Sequence, residues 1–170
     1  MNKLVICMIG IFIVSLGAGC ADARIGNTEY GEAKDFTAPD INGKAVTLSN
    51  YKGKIIFLNF FSTWCPPCRM EMPDFNALSK EYSKEVEVIA VAVGRESIER
   101  VKSFVKDNNL GFTVIMDDGN ISGLYGPMPG IPVTVVIDKD FNIQRRYIGM
   151  RPKEVFLQDV DCNRKCDKKR

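Results

Sequence analysis

Apolar residues along this 170-residue chain gather in short runs and helical stripes separated by polar turns. The run KIIFLNFF, residues 54–61, is apolar at nearly every position over one strand's length, the pattern of a strand buried on both faces. VEVIAVAV, 86–93, predicts a second such strand, and FTVIM, 112–116, a third. Between them the period lengthens. Met72, Phe75 and Leu78 predict a helix from about Pro66 to Tyr82, and Ile98, Val101, Phe104 and Val105 share one face of a helix in ESIERVKSFVKDNN. Upstream, PDINGKAVTL sets an Asn42-Gly43 turn between short apolar runs, a hairpin signal. Downstream, GNISGLYG predicts a short helix. VTVVID and NIQRRYIG flank the turn DKDF as an antiparallel hairpin, and PKEVFLQDV, with Pro152 near its start, predicts a last helix.

Strands that alternate with helices and close on a hairpin predict an α/β domain, with a mixed central sheet, helices on both faces and an N-terminal β-hairpin. The length suits one domain, placed at 35–160. Residues 20–34 are polar and aperiodic and predict a tether. Residues 161–170 form a basic, cysteine-bearing tail, expected as a solvated end, with contact to anionic lipid heads as the weaker alternative.

The first residues, MNKLVICMIGIFIVSLGAGC, start with a positive Lys3, stay uncharged over 4–19 and collect small residues at 17–19. This is the signature of an export signal, assigned to 1–19. The uncharged stretch is shorter than the roughly 20 residues a membrane span needs, which ranks an uncleaved anchor second. Leu16, Gly17, Ala18 and Gly19 run into Cys20 and resemble the lipobox of bacterial lipoproteins, in which the cysteine receives lipid and becomes the N-terminus. Leucine stands one place earlier than in the commonest form. Cleavage after Ala23, in Ala21-Asp22-Ala23, is the competing outcome and gives a soluble product. The expectation is an exported lipoprotein, membrane-anchored through Cys20 and facing the periplasm or extracytoplasmic space.

A net charge of +2 makes no electrostatic case for a nucleic-acid partner. Histidine is absent, so acid–base chemistry falls to carboxylates, thiols, tyrosines or lysines. Once Cys7 leaves with the signal and Cys20 takes lipid, Cys65, Cys68, Cys162 and Cys166 remain, an even number that suits two pairs.

Cys65 and Cys68 sit in WCPPC, between a buried strand and a helix. Unpaired N–H groups and the positive end of the helix dipole stabilise a thiolate there, which makes Cys65 the nucleophile. Cys68 lies on the same helical face and can close a disulfide with it or resolve a mixed disulfide. Trp64 is expected to shield the sulfur without closing access. The competing readings are half of a zinc site, whose other ligands would have to be Cys162 and Cys166, and an inert staple, whose loop is too small to stabilise much. No metal is expected. Glu71, three residues after Cys68 on the same face, is the best placed carboxylate to take the Cys68 proton. Its competing reading is an ordinary solvated glutamate.

Residues 36–149 resemble the TlpA/ResA-like thioredoxins, exported and membrane-tethered thiol–disulfide oxidoreductases. The segments APDINGKAVTLSNYKGKIIFLNFFSTWCPPCRMEMP and GIPVTVVIDKDFNIQRRYIG carry the resemblance, with hairpin, strand, W-C-x-x-C and E-x-P in the family's order. The resemblance implies a thioredoxin-like fold and a redox-active Cys65–Cys68 disulfide. It matches Pro132 to the family's cis-proline, with the Ile131 backbone pairing to substrate, and matches Glu71 to a glutamate near the thiols. Trp64, Pro66, Pro67, Ile131 and Pro132 then line the substrate. Asn59 departs from the buried aspartate of cytoplasmic thioredoxins, which shifts proton duty toward Glu71. Family members often reduce apocytochrome c; no haem or other cofactor is expected here. The implied partners are disulfide-containing exported proteins and a membrane electron donor.

Pro66 and Pro67 have no N–H, so two donors that would steady the Cys65 thiolate are missing. A modestly lowered thiol pKa and a reducing couple follow as the expectation. A redoxin-type thiol peroxidase is the alternative; it needs Ser or Thr three residues before the reactive cysteine, which Ser62 meets, and proline four before that, where Leu58 stands. A non-catalytic binding or metal-carrier module on the same fold is the other. Cys162 and Cys166, four apart, could form a local disulfide, relay electrons to the main pair, or cap the tail.

Overall fold

A computed structural model describes residues 31–167. Strands β1 (Thr37–Pro39) and β2 (Ala45–Thr47) form a separate antiparallel hairpin, followed by a 3-10 turn, Leu48–Tyr51. The hairpin's own turn, between β1 and β2, is held by Asp40, whose Oδ1 accepts from the N–H groups of Asn42 and Lys44, both at 2.8 Å. The Asn42-Gly43 signal works because Gly43 takes φ 86°, a left-handed conformation that costs glycine nothing.

Next come β3 (Ile55–Phe61), α1 (Pro66–Glu81), β4 (Val86–Ala92), α2 (Ile98–Asp107), β5 (Thr113–Met116), α3 (Asn120–Leu124), β6 (Val133–Ile137), β7 (Ile143–Ile148) and α4 (Lys153–Asp167). The five-stranded sheet runs β5-β4-β3-β6-β7. β3, β4 and β5 are parallel; β6 and β7 are antiparallel additions on the other side. All seven residues of β3 are buried, the polar Asn59 among them, as its almost wholly apolar run requires of the central strand. Successive side chains point to opposite faces. Ile56, Leu58 and Phe60 pack with Val46, Leu48 and Ile121, under the hairpin, the 3-10 turn and α3. Phe57 and Phe61 point the other way, toward α1, α2 and α4 through Phe75, Phe104 and Phe156.

Two boundaries differ from the sequence expectation. Residues 31–34 are not tether: Ala33 is buried, its N–H donates to Phe141 O at 2.8 Å, and Glu32 bridges Asn142. At the other end α4 does not stop at 160 but continues to Asp167, so residues 161–167 are helix rather than tail. Asn163 is buried there, and Arg164 forms a two-pronged pair with Glu85 at 2.7 Å on each arm.

Candidate active site

The parallel strand β3 ends at Phe61, four residues before Cys65, at the carboxyl edge where α/β sheets open their crevices. Cys65 caps α1, with Pro66 and Pro67 as the first helical residues. Proline suits those positions, where no N–H is needed within the helix. The Cys65 and Cys68 sulfurs are bonded to each other, with Cα atoms 5.3 Å apart. Cys68 N–H points at Cys65 Sγ at 3.4 Å and is the backbone donor that the two prolines leave. Cys68 has no exposed surface and Cys65 keeps 3%, so an incoming thiol or disulfide meets Cys65 Sγ first. Trp64, 56% exposed, stands beside it. The Ile131–Pro132 peptide is cis, and Ile131 O lies 3.7 Å from Cys65 Sγ. In the dithiol form the Cys65 S–H has an acceptor there.

Glu71, three residues after Cys68 on α1, is buried. Its Oε1 accepts from Arg151 N–H at 2.6 Å; its Oε2 faces Asn59 Nδ2 at 3.5 Å. The same Nδ2 donates to Thr134 Oγ1 at 3.0 Å, and Asn59 and Thr134 are register partners across β3 and β6. Burial pushes the Glu71 carboxyl up to about 7, against the lowering effect of the Arg151 and Asn59 donors. Glu71 is therefore a buried group rather than a solvated one, and it titrates where a proton acceptor is useful. Asn59 Oδ1 is itself buried without a hydrogen-bond partner among the described residues. Gly149 N–H donates to Pro132 O at 2.8 Å, so the loop after β7 touches both the proline and Glu71.

One functional feature escaped the sequence reading. Glu96, in the loop after β4, turns a 4% exposed side chain inward. Its Oε1 accepts from Thr63 N–H at 2.7 Å and its Oε2 from the Thr63 hydroxyl, which clamps the turn leading into Trp64 and Cys65. Arg100 Nε joins at 3.1 Å from Thr63 Oγ1. A glutamate just before a helix reads as an ordinary first-turn acid, so nothing in the pattern marked it. The Arg151 donor is a backbone group and carries no sequence signal at all.

The other predicted residues lie elsewhere. Ser62 is buried and its hydroxyl donates to Val93 O at 2.7 Å, which occupies the group a peroxidase would need. Cys162 is half-buried on α4. The side chain of Cys166, and Cys20 with the whole leader, lie outside the described residues. Among the described residues no cluster of three or more histidine, cysteine or acidic side chains is grouped to hold a metal ion.

Residues 31–146 match the model of the AhpC/TSA family. The chain is 43% identical over 134 residues to thiol-disulfide oxidoreductase ResA of Bacillus cereus, covering 76% of each protein. In structure it resembles a thiol:disulfide interchange protein of the thioredoxin family from Chlorobium tepidum TLS, with a TM-score of 0.68 and 31% identity over 78% of this chain and 94% of that one. It also resembles the pneumococcal exposed lipoprotein thioredoxin (Etrx1) from Streptococcus pneumoniae strain TIGR4, with a TM-score of 0.66 and 27% identity over 75% of this chain and 98% of that one.

Proposed function

The chain belongs to the AhpC/TSA family as a thiol–disulfide oxidoreductase of the ResA kind, and from that premise we propose that it reduces disulfides in exported proteins. The observation that carries the direction is the donor count at Cys65. Pro66 and Pro67 offer no N–H, and among the described residues only Cys68 N–H reaches the sulfur, at 3.4 Å. A strong oxidant needs an unusually stabilised thiolate, and this arrangement does not supply one.

The cycle starts from the dithiol. Cys65 thiolate attacks one sulfur of the substrate disulfide; a Cys65–substrate bond forms and the other substrate sulfur leaves as thiolate. Cys68 then gives its proton to the Glu71 carboxylate and attacks Cys65 Sγ. The second substrate sulfur departs, and the protein is left with the Cys65–Cys68 bond. Two electrons have passed to the substrate, and a dithiol donor at the membrane restores the starting state. Trp64, Pro66, Pro67 and the cis Ile131–Pro132 turn border the attacking sulfur and serve as the substrate's contact surface.

The export leader and the lipobox-like run into Cys20 support work outside the cytoplasm as an anchored lipoprotein. The pneumococcal relative, described as an exposed lipoprotein, supports the same placement. Apocytochrome c is the substrate that the ResA resemblance suggests.

Replacing Cys68 with alanine tests the whole scheme. The variant is expected to stall as a mixed disulfide on Cys65, stable to alkylation and released by dithiothreitol. Identified by mass spectrometry, the trapped partners should be exported proteins that need reduced cysteines. Recovery of no adduct, or of adducts confined to cytoplasmic proteins, would sink the proposal.

A further inference from the structure

Two adjoining hollows open where α1 meets α2. One, of about 340 Å3, is bounded by Trp64, Pro66 and Met70 and by Arg69 and Asn108. The other, of about 460 Å3, shares Arg69 and Asn108 and continues past Thr63, Arg100 and Asp107. Trp64 and Pro66 flank Cys65 in sequence, so the groove begins at the two neighbours of the reactive cysteine. Its near end is apolar: Trp64 and Met70 are more than half exposed, and large exposed apolar side chains mark surfaces that bind.

The far end is basic. Arg69 is exposed, and among the described residues no ion pair engages it. Arg100 uses its Nε inward, on Thr63 Oγ1 and toward Glu96 Oε2 at 3.7 Å, while its side chain remains 63% exposed. Its terminal nitrogens donate to no described group. The Glu96 carboxylate, turned into the protein, is occupied by the Thr63 N–H and hydroxyl. Asp107 is the single acid on the groove wall, set against two guanidinium forks.

We propose that this groove receives the stretch of substrate polypeptide beside the cysteine that Cys65 attacks, with an apolar side chain on Trp64 and Met70 and a carboxylate on Arg69 and Arg100. The inference rests on the disulfide-reductase function above and adds a substrate class to it: disulfide proteins with an acidic residue near the reacting cysteine. Guanidinium forks match carboxylate geometry, and charges on an interface rim act on encounter and register. The nearly balanced net charge of the chain offers no general attraction for acidic partners, so selection has to be local.

The test uses the full-length chain, pre-reduced and held in detergent, under single-turnover conditions. The probes are a pair of disulfide peptides differing only in Glu or Lys close to the cysteine, and neutral 2-hydroxyethyl disulfide. The Glu peptide is expected to react about fivefold faster than the Lys peptide at low salt, with the ratio shrinking as salt is added. Arg69→Glu should reverse the preference, and Asp107→Asn should strengthen it. Equal rates for the two peptides, or a ratio that Arg69→Glu does not move, overturn the groove while leaving the reductase function intact. Inertness toward all three probes overturns that function and the groove with it.

Discussion

Glu71 shows how one side chain can be set by its surroundings. It is closed off from water, held by Arg151 N–H at 2.6 Å and met weakly by Asn59. Burial raises its carboxyl to about 7 from an ordinary 4.5. The folded protein then keeps the proton over a range where the unfolded chain has released it. The native state binds more protons there, so stability falls as pH rises from 4.5 to 7 and is level above. The gap corresponds to on the order of 3 kcal/mol. Urea unfolding of the oxidised protein at the two ends of that window should show the loss, and Glu71→Gln should abolish the difference. In the same variant, resolution of a mixed disulfide should slow at least about tenfold near neutral pH and lose its rise through pH 7, read by stopped-flow. Glu71 was legible as a candidate because it stands one helical step from Cys68. Its partners were not: Asn59 reaches it from β3 and Arg151 from the loop after β7, and Arg151 acts through its backbone.

The start of α1 is where an element, rather than a side chain, sets the chemistry. Helix N-termini offer free N–H groups to an anion, and proline removes them at residues 66 and 67. Pro67→Ala returns one donor facing the turn that holds Cys65 Sγ. The cost to the helix is small, since alanine is well accepted there. The Cys65 thiol pKa should fall by about one unit, and the couple should become more oxidising by about 30 mV. Titration of thiolate absorbance in the reduced protein reads the first and equilibration with glutathione the second; an unchanged titration would mean that the residue 67 backbone does not face the sulfur. At this scale the pattern was informative where burial is extreme. The apolar runs, interrupted only by Asn59 and Glu87, became β3 and β4, and the spacing of Met72, Phe75 and Leu78 became the inner face of α1. Ends were less legible, because they depend on what the neighbouring backbone does. Residues 31–34 hold no apolar period, yet they are drawn onto the fold by hydrogen bonds with the β6–β7 turn. The clamp of Glu96 on Thr63 likewise joins two loops that only the packing of β3 beside β4 brings together.

For the molecule as a whole, the last helix decides how far the domain extends. α4 packs Phe156 against Phe57, Phe75 and Tyr147, and Asp159 accepts from Arg145 Nε and Tyr147 OH, each at 2.9 Å. These anchors lie within the span that the apolar pattern foresaw. Beyond it, Asn163 Nδ2 donates to Asp159 O at 2.9 Å and Gln144 Oε1 at 3.2 Å, and Arg164 clasps Glu85 while lying over the Tyr82 ring at 5.0 Å. Polar residues in a basic, aperiodic stretch gave no hint of this, since their partners sit on β7 and in the turn between α1 and β4. A chain ending at Val160 loses the buried Asn163 bonds, worth about 1 kcal/mol each, and exposes the groups they satisfied. Its melting temperature should drop by about 5 °C relative to the full chain, both measured in the oxidised state. None of the removed residues contacts Cys65, Cys68 or Glu71 through any described bond, so disulfide reduction per folded molecule should persist at temperatures below the transition. An equal melting temperature would return residues 161–167 to the status of a passive tail. A truncated protein that stays folded but cannot reduce disulfides would instead give Cys162 or Cys166 a part in electron transfer.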